Sequence, residues 1–221
     1  MLSVHPQLVG QDNKMSQNAQ WFFDFVSPFS YLQFRTLHRL PESLELTLTP
    51  VLFAGLLAHW GQKGPAEISP KRVDTYRYCQ WLADRLGVAF QMPKAHPFNP
   101  LPYLRLCLSL GGSRETIGEI FDYIWTQGAP VHTEAGIQAL ADRLQVENLP
   151  DLVGSQSAKQ QLRANTNEAI AEGVYGVPTF VVGTERFWGI DQMEMLCDWL
   201  ATPDGRKHIA TEHFSALPSG L

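Results

Sequence analysis

Residues 21–32 constrain the fold of this chain more than any other stretch. The run W-F-F-D-F-V at 21–26 is apolar and rich in aromatic residues, and such a run predicts a buried strand. It stops at Ser27-Pro28, where serine is a favoured helix N-cap and proline suits the first helical position because it has no N–H to satisfy there. Apolar residues then recur at helical spacing as far as Leu40. A core strand therefore leads directly into a helix N-terminus at Ser27.

The position of Ser27 has a chemical consequence. A helix N-terminus carries unpaired backbone N–H groups and roughly half a positive charge. Anions and thiolates are stabilised at such an end. Ser27 is therefore a candidate functional residue, and the alternative interpretation is that it only caps the helix.

Composition excludes several classes of function. The 221 residues are 44% hydrophobic, which is enough for one sizeable core or for a domain with a large insertion. The net charge of −5 gives no sign of the basic surface that nucleic-acid binding requires. No apolar run is long enough to span a membrane. The three cysteines Cys79, Cys107 and Cys197 are odd in number and form no C-x-x-C motif, which disfavours a disulfide scaffold and a zinc site. We predict a cytoplasmic protein without a metal, a nucleic-acid partner or a membrane partner.

The order of the predicted elements defines a fold class. Residues 44–49 alternate apolar and polar and predict a half-buried strand, so the chain begins as a β-α-β unit with a parallel pair. Helical patterns without strands then follow, until residues 178–183 and 186–188 predict a hairpin. A final helix is predicted over 192–200. Within the helical block, Ser69, Ser113 and Thr133 are predicted N-caps, and Ser157 is the predicted start of the last helix.

This order predicts an α/β fold, a thioredoxin-like domain with an all-helical insertion domain. The thioredoxin-like domain is expected at 21–52 and 173–202, with the helical insertion at 53–172. Residues 1–20 are polar, with no apolar signal-peptide centre, and are expected to form an N-terminal tail. Residues 203–221 are expected to form a C-terminal tail.

Two further elements would converge with Ser27 in such a fold. Pro178 stands just ahead of a strand, and a cis Val177-Pro178 bond there would expose the Val177 backbone N–H and C=O to an extended peptide. The alternative is that Pro178 only turns the chain into the sheet. At Asp191-Gln192 the last helix begins, and its free N–H groups could hold a carboxylate while Asp191 holds an ammonium. The alternative is plain capping, with Glu194 completing a capping-box pattern.

A family resemblance rests on six segments in chain order. They are D-F-x-S-P-F-S-Y-L at 24–32, G-x-K-x-P-A-E at 61–67, P-K-R at 70–72, P-F-N-P-L at 97–101, G-V-P-T-F-V-V at 176–182 and F-W-G-x-D at 187–191. Over about residues 20 to 201 the chain resembles the 2-hydroxychromene-2-carboxylate isomerase family, which is close to kappa-class glutathione transferases and more distantly related to DsbA-type disulfide oxidoreductases. The first and fifth segments together are the most specific.

The resemblance implies bound glutathione. Ser27 would meet the glutathione sulfur and stabilise a thiolate, which lowers the thiol pKa, rather than attack a substrate itself. Pro28 and Phe29 would border the thiol. Val177, next to Pro178, would pair with the cysteinyl backbone.

The remaining implied contacts are polar. Asp191 would bind the γ-glutamyl ammonium, with Gln192 helping at the neighbouring carboxylate. Lys71 would approach the glycyl end, although its bland interpretation is a solvated lysine at a helix start. The family often has asparagine at Gln62 and arginine at Gln192, and the second difference removes a cation. Asn99 could touch the substrate.

The cysteine positions of the disulfide oxidoreductases are serines in this chain. Ser27 and Ser30 stand where those enzymes carry their two cysteines. Thiol-disulfide exchange through these two positions is therefore excluded.

A flat aromatic substrate would need an apolar pocket. The candidate wall residues of this pocket are Phe53, Trp60, Tyr76, Trp81 and Phe98, and the alternative for each is that it lies in the core. His96 could touch the substrate, and its alternative is a surface position or a role in fixing its loop.

The implied activity is isomerisation. The family reaction interconverts 2-hydroxychromene-2-carboxylate and trans-o-hydroxybenzylidenepyruvate in aromatic breakdown, by thiolate addition, ring opening, bond rotation and thiol elimination. Glutathione would act as a cofactor, the substrate would be a small aromatic carboxylate, and a homodimer is implied. One alternative is a kappa-like glutathione transferase. A second is a non-catalytic thioredoxin-like binding module, in which Ser27 and Asp191 are only caps.

Overall fold

The computed structural model describes residues 17–202 and 204–215. Its strands are β1 (Gln17–Phe23), β2 (Leu44–Pro50), β3 (Thr179–Val182) and β4 (Glu185–Trp188). They form one sheet in the order β2-β1-β3-β4. β1 pairs with β2 in parallel, while β1–β3 and β3–β4 are antiparallel, so the predicted parallel pair and hairpin are both confirmed.

The helices surround this sheet. They are α1 (Pro28–Thr36), α2 (Phe53–Trp60), α3 (Ser69–Leu86), α4 (Leu101–Ser109), α5 (Arg114–Thr126), α6 (Glu134–Arg143), α7 (Leu149–Gly154), α8 (Gln156–Ala171), α9 (Met193–Ala201) and α10 (Thr211–Ser215). Helices α2 to α8 all lie between β2 and β3 in the chain. The element order is the one predicted for a thioredoxin-like domain with a helical insertion. No helix within the described ranges combines the length and hydropathy needed to cross a bilayer.

The aromatic run at β1 is explained by burial on both faces of the sheet. Successive strand side chains point to opposite faces. Trp21 and Phe23 stack at 4.6 Å between ring centroids and join the larger core cluster with Phe121. Phe22 belongs to a second cluster, with Leu56 from α2. Because both faces are covered, the strand reads as a continuous apolar run rather than an alternating one.

The first strand begins earlier than predicted. β1 starts at Gln17, whereas the expected tail extended to residue 20. Residues Gln17 to Gln20 pair with Leu44 to Thr47 through the backbone, and a strand ladder does not require apolar side chains. Residues 1–16 of the expected tail lie outside the described residues.

Two predicted helix ends are wrong by one residue. Ser69 is the first residue of α3 rather than its N-cap, which is Ile68 and makes no side-chain capping bond. Helix α8 begins at Gln156 rather than Ser157, and the hydroxyl of its N-cap, Ser155, accepts from the Ala158 N–H. The caps at Ser113 and Thr133 are confirmed by hydrogen bonds to the backbone three residues ahead.

The last part of the chain also differs. A 3-10 turn, Ile190–Gln192, precedes α9. The N-cap of α9 is Gln192, and its side chain makes no capping bond, so the capping-box interpretation of Asp191 with Glu194 is wrong. Within the expected C-terminal tail, α10 docks on the hairpin because the Thr211 N–H and hydroxyl both donate to Glu185 Oε2 at 2.8 Å. Residues 203 and 216–221 lie outside the described residues.

Candidate active site

Ser27 caps α1, as the sequence predicts. It has extended backbone angles (φ −91°, ψ 115°), and its Oγ accepts a hydrogen bond from the Ser30 N–H at 3.2 Å. Pro28 follows in the first turn. The Ser27 side chain is buried but lies at the end of the helix that carries the unpaired N–H groups.

The hydroxyl proton of Ser27 is only weakly engaged. Its one acceptor among residues 17–202 and 204–215 is the Val177 carbonyl, at 3.4 Å, which is at the long end of the hydrogen-bond range. The Val177-Pro178 bond is cis, as predicted. The Val177 N–H has no acceptor within the same described part of the chain. The fold thus brings together a donor hydroxyl, a helix N-terminus and a free peptide edge.

The chain's own thiols do not serve this site. Its three cysteines are free. Cys79 and Cys107 are buried, and burial raises the pKa of each thiol to about 12, so neither forms a thiolate near neutral pH. Burial also raises the pKa of the partly exposed Cys197, whose sulfur lies 3.9 Å from the Arg39 carbonyl. A thiolate beside Ser27 would have to come from a ligand.

The Gly189–Gln192 turn presents a free carboxylate. Gly189 has φ +88°, and a β-carbon there would collide with the Asp191 carboxylate, so the turn requires glycine. Asp191 is exposed, and its carboxylate has no hydrogen-bond or ion-pair partner among the described side chains. Gln192 Oε1 accepts from the Trp188 N–H at 2.8 Å, which leaves the amide NH₂ for a ligand.

Gln33 connects α1 to this turn. It is fully buried, its Nε2 donates to the Gly189 carbonyl at 3.0 Å, and its Oε1 accepts from Trp21 Nε1 at 2.6 Å. Helical periodicity includes Gln33 in α1 but gives it no role. The signal that could have found it is an amide on the apolar face of a short helix, because a buried amide needs partners.

The loop between β1 and α1 is fixed by buried side chains. Asp24 is fully buried and accepts from the N–H groups of Val26 (3.1 Å) and Phe53 (2.8 Å). Burial raises the pKa of Asp24 to about 7, against the opposing effect of these hydrogen bonds. Trp125 Nε1, on α5, donates to the Phe25 carbonyl at 3.1 Å. Sequence reasoning missed both roles, although an acid within an aromatic run is a detectable signal.

His96 also contacts this loop. Its Nε2 lies 2.7 Å from the Val26 carbonyl oxygen, and its Nδ1 lies 2.7 Å from the Tyr76 hydroxyl. Burial is the main cause that lowers the pKa of His96. The structure thus supports the loop-fixing interpretation of His96. The Tyr76 hydroxyl belongs to the same hydrogen-bond network as His96 and the Val26 carbonyl.

The other polar candidates, Gln62, Lys71 and Asn99, make no contact with Ser27 among the hydrogen bonds of the described residues. Gln62 and Lys71 are exposed, and neither side chain makes a hydrogen bond or ion pair within residues 17–202 and 204–215. Asn99 Oδ1 accepts from the Leu101 N–H at 3.1 Å and so closes a turn at the start of α4. Their ligand contacts stay predictions.

The aromatic candidates divide between core and surface. Phe98 is buried in the larger core cluster, whereas Trp60 and Trp81 are 43% and 53% exposed. Trp60 Nε1 donates to the Val174 carbonyl at 2.9 Å, near the cis peptide. Trp81 stacks on Tyr78 at 5.7 Å between centroids, and Tyr78 in turn lies 6.0 Å from the ring of Phe29.

Comparisons with known proteins identify the family of this chain. The family described as "DSBA-like thioredoxin domain" matches residues 20–201. The Caenorhabditis elegans protein "Glutathione s-transferase kappa 2" is 27% identical over 207 residues, which are 84% of this chain and 92% of that protein. A Pseudomonas putida 2-hydroxychromene-2-carboxylate isomerase is 25% identical over 196 residues, with 80% and 91% coverage.

A solved structure confirms the fold class. The structure titled "SeMet 2-hydroxychromene-2-carboxylate isomerase (HCCA isomerase)" matches with a TM-score of 0.71 at 22% identity, covering 87% of this chain and 98% of that one. Together with the family match, this confirms the thioredoxin-like fold with helical insertion, and the isomerase and kappa-class relatives confirm the predicted family resemblance.

Proposed function

Because this chain belongs to the DSBA-like thioredoxin domain family and is similar to a 2-hydroxychromene-2-carboxylate isomerase, we propose that it is a glutathione-dependent isomerase of hydroxychromene-type aromatic carboxylates. Its substrate pair would be 2-hydroxychromene-2-carboxylate and trans-o-hydroxybenzylidenepyruvate, or a related aromatic carboxylate. The observation that carries the proposal is Ser27, a weakly engaged hydroxyl at a helix N-terminus beside the cis Val177-Pro178 peptide. Ser27 and Ser30 leave no cysteine at either position, so the reactive sulfur must be a ligand's.

The residues present fit glutathione. The Val177 N–H, which has no acceptor in the described part of the chain, and the weakly bound Val177 C=O suit the backbone of an extended peptide. The Asp191 carboxylate and the Gln192 NH₂ have no partner among the described residues, and they suit the γ-glutamyl ammonium and its adjacent carboxylate. Lys71, exposed on the first turn of α3, would bind the glycyl carboxylate.

The chain's residues would prepare the thiol for reaction. When bound, glutathione supplies a thiolate that adds to a conjugated carbon of the substrate and is eliminated again, so it is regenerated. Ser27 would donate to the sulfur while its own oxygen stays fixed by the Ser30 N–H. The α1 N-terminus would add its partial positive charge, and each unit by which the thiol pKa falls corresponds to about 1.36 kcal/mol. Phe29, half-buried beside Ser27, would exclude water from the sulfur.

The proposal is tested by calorimetric titration of glutathione and by thiolate absorbance near 240 nm. Ser27→Ala should raise the pKa of the bound thiol by about one unit or more, toward about 8.5, and reduce turnover strongly. Ser113→Ala is the matched control, because Ser113 caps α5 with the same kind of bond, to the Thr116 N–H at 3.2 Å. Absence of glutathione binding, or an unchanged thiol pKa in Ser27→Ala, would refute the proposed role.

A kappa-like transferase is the second candidate. It is favoured by the 27% identity to the Caenorhabditis elegans kappa protein. The two activities differ in the fate of glutathione, which the isomerase regenerates and a transferase consumes. Mass spectrometry after incubation with a halogenated aromatic separates them, because only the transferase leaves a permanent glutathione adduct.

A further inference from the structure

We propose that His96 is a positioning residue for Ser27. In this proposal His96 holds the Val26 carbonyl through its Nε2–H, and Tyr76 keeps His96 in this tautomer. The hydrogen-bonding part of the proposal concerns the ligand-free protein. The effect on turnover rests on the proposed glutathione chemistry.

The Val26-Ser27 peptide group is held at both ends. Its C=O lies 2.7 Å from His96 Nε2, and its N–H, which belongs to Ser27, donates to the Asp24 carbonyl at 3.1 Å. A carbonyl oxygen can only accept, so Nε2 must carry the proton. The plane of this peptide sets the direction in which the Ser27 side chain leaves the backbone. His96 therefore acts on Ser27 from a position 70 residues away from Val26.

His96 is itself fixed on several sides. Its ring centroid lies 5.3 Å from that of Tyr76, 5.5 Å from Trp125 and 6.3 Å from Phe98. Trp125 in turn donates to the Phe25 carbonyl, one residue before the carbonyl that His96 holds. Two residues between β2 and β3 thus hold two successive carbonyls of the loop.

The Tyr76 hydroxyl explains why the tautomer persists. In the neutral imidazole, Nδ1 is an acceptor and takes the Tyr76 proton at 2.7 Å. In the protonated imidazole, Nδ1–H donates to the Tyr76 oxygen, and the Tyr76 proton turns to the His96 carbonyl at 3.0 Å. Nε2–H stays on the Val26 carbonyl in both forms.

This arrangement separates a positioning residue from an acid or base. Among the described residues, the charged or titratable groups that act on His96 are Tyr76 and Arg72. The positive charge of Arg72 lowers the pKa of His96 further. The other ring neighbours of His96 are Trp125 and Phe98. Because the bond to Val26 survives protonation, turnover should not follow the titration of His96. A catalytic base would show that titration in its pH profile.

Three variants test the role in turnover. His96→Leu keeps a similar volume without a donor, and we expect kcat/KM to fall about 10- to 100-fold, as small misplacements of reacting groups do. His96→Gln retains a side-chain amide donor, and activity should return to within about threefold of wild type. The exposed His132→Gln is the control and should leave activity unchanged.

A measurement without glutathione tests the geometry separately. In ligand-free protein, the imidazole ¹⁵N signals that disappear in His96→Gln should show a proton on Nε2, and Tyr76→Phe should shift these signals. If glutathione never binds but this tautomer is found, the proposed function fails while the hydrogen-bonding inference stands.

Three results would overturn the positioning role. They are an imidazole with a proton on Nδ1 and none on Nε2 in the ligand-free protein, full activity in His96→Leu, and a His96→Gln variant that is as inactive as His96→Leu while the wild-type pH profile follows the titration of His96.

Discussion

Asp24→Asn tests the pH dependence that burial builds into the loop before Ser27. The Asp24 carboxyl is fully buried, and burial raises its pKa from 3.8 to about 7. The folded protein therefore keeps this proton at pH values where the unfolded chain has released it. The corresponding stability is complete below about pH 4 and is lost as the pH rises through about 7.

The magnitude follows from the two pKa values. The difference between 3.8 and about 7 corresponds to about 4 kcal/mol at 1.36 kcal/mol per pKa unit. Between pH 5 and pH 8, linkage gives a loss of about 2.6 kcal/mol from wild type that the variant does not share. Asparagine has the same shape but turns an NH₂ toward the N–H of Val26 or Phe53, which costs about 1–3 kcal/mol at every pH.

Urea unfolding at pH 5, 6, 7 and 8 checks this prediction. The wild type should be more stable than Asp24→Asn at pH 5, and the difference should shrink by about 2.6 kcal/mol at pH 8. Taking the difference between the two proteins removes the opposite contribution of His96, whose lowered pKa favours the folded state as the pH rises. Asp74→Asn, at an exposed carboxyl on α3, is the matched control. A difference constant to within about 0.5 kcal/mol would refute the reasoning, and one that widens with pH would show that the hydrogen bonds outweigh burial.

Three further substitutions test the other supports of the site. Gly189→Ala places a β-carbon against the Asp191 carboxylate at φ +88°, so unfolding should cost about 1–3 kcal/mol less, and calorimetry should show weaker glutathione binding. Gln33→Leu leaves the buried Trp21 Nε1–H unpaired, and Tm should fall by about 2–4 °C for each of the 1–3 kcal/mol lost; an unchanged Tm would show that this bond does not stabilise the fold. Trp125→Phe removes one donor to the loop carbonyl while keeping an aromatic ring, and urea unfolding should show a loss of about 1 kcal/mol or more.

Local chemistry made much of the fold predictable. The aromatic run at β1, the caps at Ser27 and Ser113 and the β3–β4 hairpin all depend on residues a few positions apart. The start of β1 at Gln17 was not predictable in this way, because its polar residues join the sheet through the backbone ladder alone. The helix start at Asp191 was mispredicted because a 3-10 turn uses the same residues that suggested a cap.

The supports of the site lie beyond the reach of periodicity. His96 contacts Val26 across 70 residues, and Gln33 contacts Gly189 across 156. Local cap and proline patterns supplied Ser27 and the cis peptide as candidates, and the family resemblance added their roles, but neither gave information about what holds them. The only local signals were polar side chains in apolar surroundings, which in a buried position must find hydrogen-bond partners.

These supports suit a site whose reactive sulfur is not part of the chain. A cysteine side chain is placed by its own covalent bonds, whereas a bound thiol is placed only by the groups that contact it. The Ser27 hydroxyl would then have to be fixed as firmly as a covalent nucleophile, because errors of about 1 Å cost about two orders of magnitude in rate. The loop that carries Ser27 is held through Asp24, Trp125 and His96. Trp125 lies on α5, and His96 lies in the connection between α3 and α4. Under the proposed function, the segment between β2 and β3 would fix the serine for the sulfur of a bound ligand, in addition to any contact with substrate.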